Sequence, residues 1–183
     1  MHSALKLIGV AALLSGSIAA QAAVIDLPGG TNDGTTLTTP EATVTAGPNT
    51  TLLVGDFVAN AVCPLGTAGC NGSMTLTFNF DVNGVSFDYG FGNVGDSAQL
   101  SIYDRLGALL GSLGLNSTSG VASADLSGFG TLRSIVFDNT AATGAGYAYG
   151  NINYNPVPEP TTLPLLLAAL GGIALFRRKK SNA

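Results

Sequence analysis

The chain has 183 residues and a formal net charge of −4, from seven Lys and Arg against eleven Asp and Glu. Residues 23–155 hold ten of the acidic residues but only two bases, Arg105 and Arg133, which gives this stretch a net charge of −8. An acidic surface without a basic stripe repels phosphate backbones. The composition therefore argues against nucleic-acid binding.

Residues 23–155 also contain neither histidine nor lysine, since the one histidine of the chain is His2. Without these side chains a Ser–His–Asp triad, a Cys–His pair, a Schiff base and an imidazole-ligated zinc site cannot be built. We therefore expect a protein that is not an enzyme. One catalytic class stays open, a glycosidase that uses two carboxylates such as Asp88 and Asp96.

Residues 1–22 have the pattern of a secretory signal peptide. A charge at Lys6 precedes an apolar core over residues 7–18, and Ala20 and Ala22 form an A-x-A cleavage site. The pattern predicts a signal-peptide helix that is removed before Ala23. The rest of the chain is then exported.

Residues 23–51 are predicted to form an N-terminal arm or a loosely paired strand region, because the part from Gly29 to Thr51 contains nine threonines and no aromatic residue. Residues 52–155 are predicted to form the ectodomain. Within it, Cys63 and Cys70 flank a loop that contains glycine and proline. An even pair of cysteines in an exported protein predicts a disulfide.

Apolar residues alternate with polar ones from Met74 to Val82 and again from Val85 to Phe91. This period of two is typical of strands that are buried on one side. Asn83-Gly84 lies between the two runs and is the dipeptide that best suits a type I′ turn. The pattern predicts a two-residue β-hairpin with all its apolar side chains on one face.

Five further strands are predicted, each bounded by turn residues: Leu52–Val58, Ala98–Tyr103, Leu109–Leu115, Leu132–Asp138 and Tyr147–Tyr154. The stretch 102–113 also fits a helical stripe, but each glycine in it would cost a helix about 1 kcal/mol, so a hairpin is expected. Short strands at this spacing predict an all-β fold, an antiparallel β-sandwich of jelly-roll type.

The residues from Gly90 to Gly95 match the G-x-G-x-x-G pattern of dinucleotide-binding loops. That motif needs a helix after it, within a parallel βαβ unit. The following residues, Asp96 to Ile102, alternate as a strand does. We therefore interpret the glycines as a bend between strands.

Two ligand hypotheses concern the ectodomain. The first concerns four aspartates near predicted strand ends or loops: Asp88, Asp96, Asp104 and Asp138. We interpret them as solvated turn residues, so no metal site and no cofactor is expected. Calcium bound by these carboxylates is the alternative. Tyr147 and Tyr149 share one face of a predicted strand and are candidates for glycan contact, since aromatic rings have an apolar face that can stack on a sugar. A carbohydrate-binding module is thus the alternative function.

The final segment, residues 156–183, has three parts in a fixed order. The motif Val157-Pro158-Glu159-Pro160 disfavours a helix. Residues 163–176 are entirely apolar and predict a single transmembrane helix, a short one at about 21 Å against about 30 Å of hydrocarbon. The cations Arg177, Arg178, Lys179 and Lys180 then stop transfer and hold the C-terminus inside, which leaves the ectodomain outside.

These three parts resemble the C-terminal sorting signal of PEP-CTERM proteins, also catalogued as the ice-binding-protein C-terminal motif. The resemblance implies that an exosortase, a membrane transpeptidase, recognises residues 157–160 and processes the chain. It implies a Gram-negative bacterium, an inner-membrane-tethered precursor and a mature form at the cell surface or in the extracellular matrix of a biofilm. Exopolysaccharide is a further candidate partner.

Overall fold

The computed structural model describes residues 21–55, 58–93, 95–116, 120–139 and 145–158. These residues form an all-β, antiparallel structure, which confirms the predicted class, while the jelly-roll subtype stays a prediction. A single turn of 3₁₀ helix, η1, spans Ser127–Phe129. The strands are β1 Ala23–Val24, β2 Thr31–Asn32, β3 Thr36–Thr38, β4 Ala42–Ala46, β5 Thr51–Gly55, β6 Ala61–Leu65, β7 Ser73–Gly90, β8 Ser97–Tyr103, β9 Leu109–Asn116, β10 Ala122–Asp125, β11 Leu132–Asp138 and β12 Ala148–Pro156.

The long strand β7 joins two layers, and the hairpin predicted at Asn83-Gly84 is wrong. The first half of β7 pairs with β4 and β11, whereas the second half pairs with β10 and β12. Layer one has the order β2-β3-β4-β7-β11-β8-β9, and layer two has the order β5-β6-β12-β7-β10 with β1 beside β12. One strand thus belongs to both layers of the sandwich.

A β-bulge explains why Asn83-Gly84 does not form a turn. Between the pairs Asn155↔Asn83 and Asn153↔Ser86, β7 has one more residue than β12. Gly84 has a φ of 55°, in the left-handed region that glycine favours. The extra residue changes the phase of alternation, so that Val82 and Val85 are both buried. The bulge keeps both apolar runs on the core side.

The core lies between the two layers and is rich in aromatic rings. Phe78 of layer one contacts Tyr154 of layer two, with ring centroids 5.4 Å apart. Phe137 of layer one contacts Tyr149 of layer two at 4.4 Å. The N-terminal arm also joins this core, since Ile25 and Leu37 are fully buried in it. The boundary predicted at residue 51 therefore has no counterpart in the packing.

The predicted hairpin over residues 98–115 is confirmed, because β8 and β9 pair antiparallel. A turn at Asp104 connects them, in which Asp104 N–H donates to the Ala108 carbonyl at 3.0 Å. The Gly90–Gly95 motif is followed by strand β8 rather than by a helix, which confirms the interpretation as a bend. The described residues contain no helix long and apolar enough to cross a membrane. Residues 1–20, with Ala20 of the cleavage site, and the predicted helix 163–176 lie outside the described residues.

The register defines two ends of the sandwich. The exit end holds Asp81, Val82 and Leu132, because Val82 pairs with Leu132 and with Pro156 of the last strand. The loop end holds Ser73 and Gly90, the two termini of β7. Ser73 and Asp81 are eight residues apart on one strand, which corresponds to about 26 Å.

Candidate functional site

The last strand ends where the predicted sorting segment begins. After β12 the Val157 N–H donates a hydrogen bond to the Asp81 carbonyl at 2.8 Å. Of the sorting motif, Val157 and Pro158 belong to the described residues, and Glu159 and Pro160 lie outside them, as do the cations 177–180. The fold therefore ends at the first residue of the sorting motif.

Both arginines of the ectodomain lie beside this exit. Arg133 Nη1 is 3.4 Å from Asp81 Oδ1, and Arg105 Nη1 is 4.0 Å from Asp81 Oδ2. The Arg133 Nη2 group also donates to the Asn79 carbonyl at 2.7 Å. The side chain of Arg105 is 69% exposed and that of Arg133 30%. The exit end thus carries the positive charge of an otherwise acidic domain.

A buried carboxylate oxygen lies on the same side of the molecule. Glu41 Oε2 is shielded from solvent and has no hydrogen-bond partner among the described residues. The pKa of Tyr154 is raised, first because burial disfavours the phenolate and second because the Glu41 carboxylate repels it. Tyr154 therefore stays a neutral, buried phenol that packs against Phe78 and Phe80.

The predicted disulfide is confirmed at the loop end. Cys63 and Cys70 are bonded, with their Cα atoms 5.1 Å apart. The loop that they close is held from below by Asn139, whose Nδ2 group donates to the carbonyl of Cys70 at 2.6 Å and to that of Tyr147 at 3.0 Å. Asn139 Oδ1 in turn accepts the Tyr149 hydroxyl. A fully buried amide thus connects the disulfide loop to β12.

The two tyrosines chosen as glycan contacts are core residues, so that choice is wrong. Tyr147 and Tyr149 are both fully buried. They do share a face, but it is the inward one: Tyr149 contacts Phe87 and Phe137, and Tyr147 contacts Tyr89 edge-on at 5.4 Å. Burial raises the pKa of Tyr149 well above its ordinary value, because the phenolate cannot be solvated there. Neither ring offers a face to a sugar.

A polar cleft opens at the loop end, beside the disulfide loop. It has a volume of about 230 Å³ and no charged or aromatic side chain in its lining, which consists of Pro48, Asn49, Thr50, Gly66, Thr67, Asn71 and Gly72. Asn71 Oδ1 accepts the Ala68 N–H at 3.2 Å, which orders one wall. Thr50 Oγ1 accepts the Ser73 N–H at 3.4 Å and fixes the other. The arrangement can bind a neutral ligand that is rich in hydroxyl groups.

Sequence reasoning missed this cleft. Its walls come from two loops, 48–50 and 66–72, which are separated in the sequence and do not form a recognisable motif. Only the second loop had a signal, because Cys63 and Cys70 indicated that it was closed.

The aspartates selected from the sequence serve separate structural roles. Asp88 accepts hydrogen bonds from Ser123 Oγ at 2.6 Å and from Asn151 Nδ2 at 2.8 Å. Asp96 is buried, and its Oδ2 accepts from the N–H groups of Asn93 at 2.7 Å and Gly146 at 3.2 Å. The groups that bond Asp88 come from β10 and β12, whereas those that bond Asp96 come from the backbone at positions 93 and 146. They thus belong to different local networks.

The other two aspartates of the calcium hypothesis lie elsewhere in the fold. Asp104 caps the β8–β9 turn, and Asp138 ends β11 at the loop end. Within the described ranges no three His, Cys, Asp or Glu side chains form a group that could hold a metal ion. Calcium binding stays the alternative hypothesis, beside the expectation that no metal is bound.

Comparison with known proteins identifies the C-terminal segment. The family model of the PEP-CTERM protein-sorting motif matches residues 156–180. The chain carries a PEP-CTERM sorting motif. The match begins at the last residue of β12, so the PEP-CTERM motif and the fold meet at Pro156. A comparison with curated proteins gave no match.

Several solved structures are similar to part of this chain. A mutant of a family 29 carbohydrate-binding module is similar at a TM-score of 0.46 and 14% identity, over 74% of this chain and 92% of that chain. Another mutant of that module, complexed with cellulohexaose, has a TM-score of 0.46 and 16% identity over 75% and 92%. A fucose binding module from Streptococcus pneumoniae has a TM-score of 0.37 and 11% identity over 63% and 70%. Likeness at this level says nothing about the ligand of the present chain.

Proposed function

We propose that this chain is an exported, non-enzymatic protein of the cell surface or of the exopolysaccharide matrix, and that exosortase sorts it through its C-terminal segment. The observation that carries the proposal is the PEP-CTERM match at residues 156–180. The hydrogen bond from Val157 to Asp81 supports it, because the ectodomain is complete where the sorting segment starts. The part of the segment after Pro158 can therefore be processed without breaking these interactions of the domain.

The order of the segment gives each part a role. Glu159 lies between Pro158 and Pro160, which favour an extended backbone that a protease-like site can bind. The apolar residues 163–176 hold the precursor in the inner membrane, and the four cations after them keep the C-terminus in the cytoplasm. The short span suits a temporary anchor.

The test is a processing assay in cells that contain an exosortase. Replacement of Pro158, Glu159 and Pro160 by alanine should leave a full-length, membrane-retained chain, which intact-mass measurement of membrane and culture fractions detects. The control replaces the neighbouring Thr161 and Thr162 by alanine and should mature normally. Normal maturation of the Pro158, Glu159 and Pro160 variant would contradict the proposal.

A second candidate function is carbohydrate binding, through the polar cleft instead of the tyrosines. Its lining favours this function, because amide, hydroxyl and backbone groups surround about 230 Å³ without any charge. Such groups match the alternating donors and acceptors of a single neutral sugar unit. An exopolysaccharide would supply such units.

A glycan array tests the cleft. Asn49 has a φ of 55°, so Asn49→Gly removes the amide and retains a backbone that glycine adopts readily. We expect this variant to lose binding that the parent protein shows, whereas Asn83→Ala at the exit end retains it. A parent protein that binds no glycan, or an Asn49→Gly variant that binds as well as the parent, would refute this function.

A further inference from the structure

The β8–β9 turn and the start of β9 present the two most exposed leucines of the described ectodomain, Leu106 and Leu109, with Leu110 beside them. Leu106 is 85% exposed, Leu109 60% and Leu110 39%. Leu109 and Leu110 are both exposed because the register of β8 and β9 shifts between Ile102 and Tyr103. We call Arg105, Leu106, Leu109 and Leu110 the leucine tip.

The turn that carries the leucine tip is well ordered. Asp104 Oδ1 accepts the N–H groups of Leu106 and Ala108, both at 2.8 Å, and Gly107 N–H donates to the Asp104 carbonyl at 3.2 Å. These hydrogen bonds fix the backbone of the turn while its leucine side chains stay exposed to solvent. An apolar group held in water on a rigid turn indicates a surface that contacts something apolar.

The leucine tip lies at the same end as the sorting segment. Arg105 Nη1 is 4.0 Å from the Asp81 carboxylate, and the carbonyl of the same Asp81 accepts the Val157 N–H. Leu163, the first residue of the apolar run, lies six residues after Val157. Six residues span at most about 22 Å. A chain anchored through residues 163–176 thus keeps its exit end close to the bilayer surface.

We infer that the leucine tip is a second membrane contact of the tethered precursor, in which Leu106, Leu109 and Leu110 enter the bilayer interface. The inference rests on the proposed membrane anchor. Arg105 is the charge best placed to meet lipid phosphate, because its side chain is 69% exposed. The cleft and the disulfide loop, at the other end of the sandwich, then point away from the membrane. When processing removes the anchor, the leucine tip is no longer held close to the bilayer, and we expect the domain to leave the membrane surface.

Lipid quenching of a site-specific dye tests the inference on the full chain. Its only two cysteines are bonded to each other, so Leu106→Cys introduces a single reactive thiol. The control is Val121→Cys, an apolar position that is 60% exposed and lies next to Gly90 at the loop end. Each labelled protein is reconstituted into vesicles of equimolar phosphatidylethanolamine and phosphatidylglycerol, with or without bromine on the acyl chains. Flotation confirms that the protein is bound to the vesicles.

We expect bromolipids to quench the dye at position 106 several-fold more than the dye at position 121. Equal, weak quenching at both positions in protein that floats with the vesicles would overturn the inference and leave the anchor intact. A blue-shifted but unquenched dye at position 106 would also overturn it, because the tip would then be covered by protein, such as a second copy of the chain. Failure to float would refute the anchor itself and with it this inference.

Discussion

Replacement of Asn139 by alanine should destabilise the ectodomain more than any comparable change on its surface. The Asn139 amide is fully buried and satisfies three buried groups, the carbonyls of Cys70 and Tyr147 and the hydroxyl of Tyr149. Each buried polar group that loses its partner costs about 1–3 kcal/mol. We therefore expect Asn139→Ala to lower the free energy of unfolding by about 3–5 kcal/mol.

A double-mutant cycle with Tyr149→Phe isolates the hydrogen bond between the two side chains. Tyr149→Phe alone should cost about 1–2 kcal/mol, because Asn139 Oδ1 loses its donor. In the Asn139→Ala background the hydroxyl has already lost its partner, so the same change should cost nothing or stabilise. The coupling free energy is then about 1–2 kcal/mol.

Urea unfolding, followed by tyrosine fluorescence and circular dichroism, measures all four variants. Asn83→Ala is the control, since this exposed asparagine makes no side-chain hydrogen bond within the described part of the chain, and it should change stability by less than about 0.5 kcal/mol. The reasoning is refuted if Tyr149→Phe costs the same in both backgrounds. It is also refuted if Asn139→Ala is no more harmful than Asn83→Ala.

Two further predictions concern the same end of the molecule. Reduction of the Cys63–Cys70 disulfide frees an eight-residue ring and should lower stability by about 2.5 kcal/mol, which thermal unfolding with and without a reductant measures; an unchanged melting temperature would contradict it. Stability should also fall at high pH because the pKa of Tyr149 is raised in the folded state: its contribution is complete below the ordinary pKa of 10.0 and declines above it by about 1.4 kcal/mol per pH unit. Urea unfolding between pH 9 and 11 should show a shallower decline for Tyr149→Phe, and identical slopes would be evidence against the raised pKa.

Local alternation was sufficient to predict the strands that follow a regular face. Leu132–Asp138 is matched in full, and Ser97–Tyr103 and Leu109–Asn116 are each matched to within one residue. β8 and β9 pair with each other as neighbours in the sequence, and β11 pairs with strands that show the same apolar–polar alternation. The period of two is therefore enough to decide which face of each strand is buried. The disulfide was predictable for a similar reason, since its two cysteines and their loop are adjacent in the sequence.

The Asn83-Gly84 region shows where local pattern is insufficient. A hairpin turn and a bulge both place a left-handed glycine between two apolar runs, and both keep those runs on one side. The choice between them depends on β10, β11 and β12, which lie at least 32 residues further along the chain than the end of β7 and compete for the edges of β7. The wrong prediction for Tyr147 and Tyr149 has the same cause. Pairing of β12 with β7 turns Tyr149 toward Phe137, and the alternation of residues alone does not distinguish that inward face from a solvent-exposed one.

The position of the sorting segment has a consequence for the stability of the processed protein. The last register pair of the fold is Pro156↔Val82, and the last backbone hydrogen bond is the one that Val157 donates to Asp81. Cleavage at any bond after Pro158 leaves both interactions and the whole core in place, because every described strand ends by Pro156. In the absence of a membrane, the precursor and the processed domain should then have the same free energy of unfolding. Sorting would thereby change where the protein is held without changing how it is folded, which is what a domain needs if it must fold before it is released.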